Sequence, residues 1–186
     1  ALKQGSFDGY AERNGAIGGD NSVSDVMDYI TFSTKGKAVD FGNLLAAKNN
    51  QSGLSSSTRG ISGGGNTGSK INVIEYITIA SIGNSTDFGD LTDVRDRHGS
   101  VSSTTRGLFA GGRGSSGNVN TIEYITIAST GDGTDFGDLT ATRQLVQAMG
   151  SSSRGIFTGG NSGSAVNTMD YVTIASTGNA TDYGDL

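Results

Sequence analysis

The stretch Arg106-Gly-Leu-Phe-Ala-Gly-Gly112, continued by Ile122-Glu-Tyr-Ile-Thr-Ile-Ala128 and Thr134-Asp-Phe-Gly-Asp-Leu139, recurs in four copies along the 186-residue chain and decides how it folds. Four landmarks set the register. They are an arginine (Arg13, Arg59, Arg106, Arg154), a glycine pair five residues on (Gly18-Gly19, Gly64-Gly65, Gly111-Gly112, Gly159-Gly160), an acid-Tyr pair (Asp28-Tyr29, Glu75-Tyr76, Glu123-Tyr124, Asp170-Tyr171) and an aromatic after Asp (Phe41, Phe88, Phe136, Tyr183). Self-similarity at this period marks a repeat architecture, in which each unit buries a face against its neighbours.

The spacings separate scaffold from connection. Twelve residues run from the Tyr to the aromatic in each copy, and 23 from the aromatic to the next glycine pair. From the second glycine to the Tyr the step is 10, 11, 12 and 11, so the length variation falls in one connection, which reads as an exposed loop.

Ile122 to Ala128 has the β-branched and aromatic content of a strand, and both alternating sets are mainly apolar, so both of its faces are expected to be covered. The run Gly107 to Ala110 reads as a second strand, ended by a glycine pair where positive φ or close packing excludes a side chain. Thr134 to Leu139 reads as a short aromatic-anchored strand, and Gln144 to Ser152, with equivalents at Arg97 to Thr104 and Asn50 to Ser57, leaves room for a fourth. The copies divide at about residues 1–44, 45–91, 92–139 and 140–186.

Four-stranded units of this length are the pattern of β-propeller blades. The glycine pair ending the second strand, the Tyr in the third, the aromatic opening the fourth and the basic residue that follows, such as Arg95 or Arg143, resemble the kelch repeat. Kelch blades usually place Trp at the aromatic position, whereas this chain has Phe or Tyr there and no Trp. The phrasing Tyr124-Ile-Thr-Ile-Ala-Ser-Thr-Gly131 followed by Thr134 to Leu139 is similar to the kelch-like repeats of phage virion structural and tail-fibre-type proteins. The resemblance covers essentially the whole chain. It implies an all-β propeller of four kelch-like four-stranded blades, either as a closed ring or as an arc of a larger ring or tandem fibre.

Composition bounds the rest. With 33% hydrophobic and 17% charged residues the chain reads as one globular domain, and without cysteine it has no disulfide framework. A net charge of −5 with no basic cluster argues against nucleic-acid binding. No apolar run approaches the roughly 20 residues of a membrane span, and Ala1 does not begin a signal peptide, so a soluble piece is expected.

Candidate chemistry is sparse. Arg13, Arg59, Arg106 and Arg154 recur in phase with Asp28, Glu75, Glu123 and Asp170, and with Lys48, Arg95 and Arg143. A position filled alike in each copy points to charge-assisted bonds between copies, because an enzyme needs one special site. Asp132, Asp135 and Asp138 supply oxygens of the kind that hold calcium, against a turn-stabilising role for the same aspartates. His98 is the sole histidine and reads as a solvated loop residue. No cysteine nucleophile exists, the histidines and Tyr-Cys pair of propeller copper oxidases are missing, and a sialidase-like site requires the arginines to converge. Sequons for N-glycosylation stand at Asn50, Asn84 and Asn179.

The loops after the glycine pairs are polar and differ between copies, with Asn66, Lys70, Arg113, Ser116, Asn161 and Ser164 as candidate ligand-contacting residues. A constant scaffold with a variable rim suits binding. The expected function is a non-enzymatic structural and adhesive module, extracellular or in a virion, with no cofactor. Its expected partners are neighbouring copies of itself, other virion or fibre proteins and surface glycans. The alternatives are a cellular kelch-type interaction propeller and a propeller glycoside hydrolase.

Overall fold

A computed structural model of the chain describes residues 23–30 and 35–186. Among them there is no helix, and sixteen strands build antiparallel sheets. The expectations for Arg13 and the pair Gly18-Gly19 fall outside the described residues.

Each of the three later copies is a four-stranded meander. The second copy supplies β3 (Ser52–Ser55), β4 (Arg59–Gly63), β5 (Val73–Thr78) and β6 (Thr86–Asp90), paired in chain order. The third supplies β7 (Gly99–Ser102), β8 (Arg106–Ala110), β11 (Thr121–Thr126) and β12 (Thr134–Asp138), and the fourth β13 (Gln147–Gly150), β14 (Arg154–Thr158), β15 (Thr168–Thr173) and β16 (Thr181–Asp185). In the first copy, β1 (Ser24–Tyr29) pairs with β2 (Val39–Lys48). The third copy has the longest connection after its glycine pair, and there the extra chain folds on itself as the two-residue strands β9 (Arg113–Gly114) and β10 (Gly117–Asn118).

The local rules behind these elements repeat. Glycine pairs end β4, β8 and β14 with φ of +61° and +110°, +64° and +102°, and +57° and +105°, left-handed backbone that a side chain disfavours. The pairing register shifts at the step into the acidic residue of each copy, at Met27/Asp28, Ile74/Glu75, Ile122/Glu123 and Met169/Asp170. Such an irregularity re-aims a side chain, and in the first three copies it lets the acid and the preceding apolar residue both be buried.

The sheets stack face against face, and their core lies between copies. One apolar cluster joins Met27, Phe41 and Leu44 to Ile77 of the next copy. The second joins Leu54, Ile61, Ile74, Phe88 and Leu91 to Phe109, Ile125 and Ile127, and the third joins Val101, Leu108, Phe136 and Leu139 to Phe157, Val172 and Ile174. Both faces of β11 are therefore covered, as its composition requires. A fully buried side chain of this size contributes about 1.5–3 kcal/mol. The same position does the work each time: Leu54 packs where a side chain on Gly107 would stand, and Val101 does so at Gly155.

Backbone bonds tie the fourth strand of each copy to the loop of the next. Phe41, Phe88 and Phe136 carbonyls accept from the amides of Gly83, Gly131 and Gly178 at 2.8, 2.7 and 2.7 Å. At Gly137 (φ +142°) a Cβ would lie 2.5 Å from the backbone of Gly178, whereas at Gly184 (φ +124°) it would meet nothing within 4 Å. Both alanine substitutions carry backbone strain, but only Gly137→Ala also overpacks an interface. It is expected to cost about 1–3 kcal/mol more than Gly184→Ala in a denaturation midpoint series. Equal losses would mean that the sheets part freely at this edge.

Candidate functional site

The recurring charges form buried clamps that hold the connection entering each copy to that copy's third strand. Lys48 pairs with Glu75, Arg95 with Glu123, and Arg143 with Asp170 at 2.9 Å, all six side chains being at most 2% exposed. Each acid also accepts from the backbone amide with which its own copy begins: Leu45 N donates to Glu75 Oε2 at 2.7 Å, Thr92 N to Glu123 Oε2 at 2.8 Å and Thr140 N to Asp170 Oδ2 at 3.2 Å. Burial pushes the Arg95 guanidinium below its ordinary value, opposed by Glu123 and then Asp93. One carboxylate thus neutralises a buried cation and ties down a backbone amide.

The other arginine series has a different task. Arg59, Arg106 and Arg154 lie over the rings of Tyr76, Tyr124 and Tyr171 at 4.4, 4.4 and 4.6 Å, and each Tyr meets Phe88, Phe136 or Tyr183 edge-on. Arg59 and Arg106 then donate to the carbonyls of Ile127 and Ile174 in the following copy, at 2.9 and 3.1 Å. These arginines are spread one per sheet and do not converge.

The variable loops are only partly free. Lys70 Nζ donates to the Gly114 carbonyl of the next copy, and Asn118 Nδ2 to that of Asn161 at 3.0 Å. Arg113 binds the buried Asp96 through Nε and Nη2 at 3.1 and 2.8 Å, and this bonding raises its pKa. Asn66 and Asn161 cap their own turns by accepting from the amides of Gly68 and Gly163 at 2.8 and 2.9 Å. Burial raises the Asp93 pKa, but bonds from the Ser115 amide and hydroxyl outweigh it and hold the carboxyl below the usual range. The connection expected to be an exposed loop is therefore anchored at its base, and only its tips stand in solvent: residues 67–69, 115–117, which include Ser116, and 162–165, which include Ser164. Asp93, Asp96 and Asn118 carry no signal of these roles in the sequence. Their partners lie in another strand or another copy, so spacing alone does not mark them.

His98 departs from expectation. It is 4% exposed, edge-on to Phe109, with neither ring nitrogen in a hydrogen bond. Burial, then the charges of Arg95 and Lys48, pushes its pKa down to about 3, while the Gly63 backbone opposes the shift without reaching hydrogen-bond geometry. The folded value lies below the unfolded one near 6.5. The unfolded chain therefore binds the extra proton, and stability is lost as pH falls from about 6.5 toward 3. The fourth copy places buried Val146 at the equivalent position. His98→Val is expected to flatten this part of the profile, read from urea midpoints at pH 7 and pH 4.5. An unchanged acid slope in the variant would assign the loss to the carboxylates.

Asp132, Asp135 and Asp138 do not gather. Asp132 Oδ1 accepts from the Asp90 amide at 3.0 Å, and the Asp138 amide donates to Asn179 Oδ1 at 3.0 Å. Among the described residues no group of three or more His, Cys, Asp or Glu is placed to hold a metal ion. The sequon residues Asn84 and Asn179 are exposed, with Oδ1 occupied by the amides of Asn43 and Asp138, while half-buried Asn50 sits at φ +56° and donates to Asn49. A recess lined by Met27, Leu44, Ile61, Glu75 and Ile77 lies between the first two copies and encloses about 10 Å³, no more than the space one water needs. No family model and no curated protein matches the chain.

Proposed function

We propose that the chain is a non-enzymatic structural and adhesive module of an extracellular assembly, such as a phage virion appendage or fibre, and that its copies are kelch-like propeller blades. The observation that carries this reading is the use of the recurring charges. The buried acids Glu75, Glu123 and Asp170 are spent on locking each copy to the connection that enters it, Arg59 and Arg106 bond the copy that follows, and the length variation between copies falls in loops whose tips face solvent. Groups locked pairwise in a repeating interface are unsuited to a reaction at one point. Polar Ser, Gly and Asn tips on a fixed scaffold suit adaptable hydrogen bonding to glycan or protein surfaces.

The test is a glycan-binding array run beside a hydrolysis panel. Binding without release of reducing sugar, weakened by shortening the 115–117 tip, is the expected result. Turnover abolished by Arg106→Ala and untouched by Arg59→Ala and Arg154→Ala would replace this reading with a hydrolase.

A further inference from the structure

The last sheet repeats the half-contacts with which the earlier sheets seat their followers, and among the described residues those half-contacts are unused. Tyr183 is 50% and Leu186 73% exposed, whereas their equivalents Phe41, Phe88 and Phe136, and Leu44, Leu91 and Leu139, are all at most 6% exposed. Met149, at 58%, holds the place of buried Leu54 and Val101. Arg154 lies over Tyr171 as its equivalents lie over their tyrosines, yet it is exposed where Arg59 and Arg106 are half-buried against the next copy. Gly184 keeps the positive φ of Gly42, Gly89 and Gly137, but the backbone that crowds those three is missing beside it.

The complementary half stands at the other end of the described chain. Ile77, Ile125 and Val172 complete the apolar cluster of the copy before them and are at most 4% exposed, while their first-copy equivalent Ile30 is 56% exposed. The loops that donate to the preceding fourth strand are residues 82–85, 130–133 and 177–180, and their first-copy equivalent is Lys35-Gly36-Lys37-Ala38. This loop is the one of the four that carries lysines, and all four of its residues are exposed. The exposed strand it would meet carries Asp182 and Asp185, also exposed. Apolar, backbone and charged parts of one missing interface thus lie divided between the two faces.

We infer that the β13–β16 face binds the first repeat of a second copy of this chain, head to tail, with Ile30 closing a cluster over Tyr183 and Leu186, and Lys37 beside Asp185. The contact is heterologous, so it propagates into a ring or a filament and does not stop at a symmetric dimer. It rests on the structural-module reading, because it extends the internal repeat interface from one chain to the next.

The test uses light-scattering mass and the full chain with two exposed-site variants, Ile30→Asp and Leu186→Asp. Wild type is expected to grow in whole-chain steps with concentration, and each variant alone to remain a single chain with an unchanged circular-dichroism spectrum. Their equimolar mixture is expected to double in mass and stop, because it unites the one intact copy of each face. A wild-type mass of one chain at every concentration would overturn the contact in favour of closure within the chain. So would growth that both variants share, or a mixture that stays single. These readouts are independent of sugar binding and turnover. Failure here removes the head-to-tail contact alone, and sugar release removes the structural reading alone.

Discussion

Arg143→Met is expected to destabilise the protein by about 3–5 kcal/mol, the cost of stranding one member of a buried pair. Both partners are at most 1% exposed and 2.9 Å apart, so the Asp170 carboxylate left behind has no water to replace the guanidinium. Asp170 also holds the start of its own copy in place, accepting from Thr140 N at 3.2 Å and Thr140 Oγ1 at 2.6 Å. A second substitution, Asp170→Leu, removes the stranded charge but orphans the Thr140 amide. The double variant is thus expected to recover most of the loss, the rest being about 0.5–1.5 kcal/mol for the lost hydrogen bond, since Thr140 is exposed and water can reach its amide. Urea midpoints of the single and double variants measure both. A loss below about 1 kcal/mol for Arg143→Met would class this clamp with solvent-screened surface pairs.

Phe109→Ala is expected to cost about 3–5 kcal/mol, the range for emptying a buried aromatic site. The ring is fully buried and belongs to the cluster of the copy before its own, beside Leu54, Ile61 and Phe88. Its Cε1 lies 2.8 Å from where a Cβ on Gly63 would stand, so the glycine is what admits the ring. Sheets that contact only their neighbours respond locally. The damage is expected as a split melting transition, with the first two copies separating from the last two. Gly63→Ala attacks the same contact from the other side. Joined to Phe109→Leu, it is expected to cost less than the sum of the two singles, a coupling of about 0.5–3 kcal/mol between residues in contact. A single transition with additive losses would mean that the interface relaxes around the missing ring.

The candidate site was legible only at its outline. The loop tips are where the spacing put them, since insertions are tolerated where backbone faces solvent. The anchoring of their bases by Asp93, Asp96 and Asn118 was not legible, because each bond joins residues 17 to 43 positions apart. His98 misled for the same reason: the Lys48 charge and the backbone of Gly63 and Gly64 in the preceding copy are brought to it by the stacking of sheets.

What the residues by themselves determined is everything carried by local periodicity: the strands of each copy, the left-handed glycine pairs and the doubly covered third strand follow from side-chain alternation and backbone sterics. What the tertiary structure decided is partnership. Arg95 and Arg106 are both in phase with Glu123, and a repeating sequence holds nothing to choose between them. Glu123 meets Arg95 because the register shift at Ile122/Glu123 accompanies burial of the carboxylate against the connection that enters its copy, while Arg106 is left to the Tyr124 ring. The same distinction separates Leu139 from Leu186. Each follows an Asp-aromatic-Gly-Asp strand end, yet one is 3% and the other 73% exposed, because burial belongs to the neighbour that stacks on a residue and not to the residue itself.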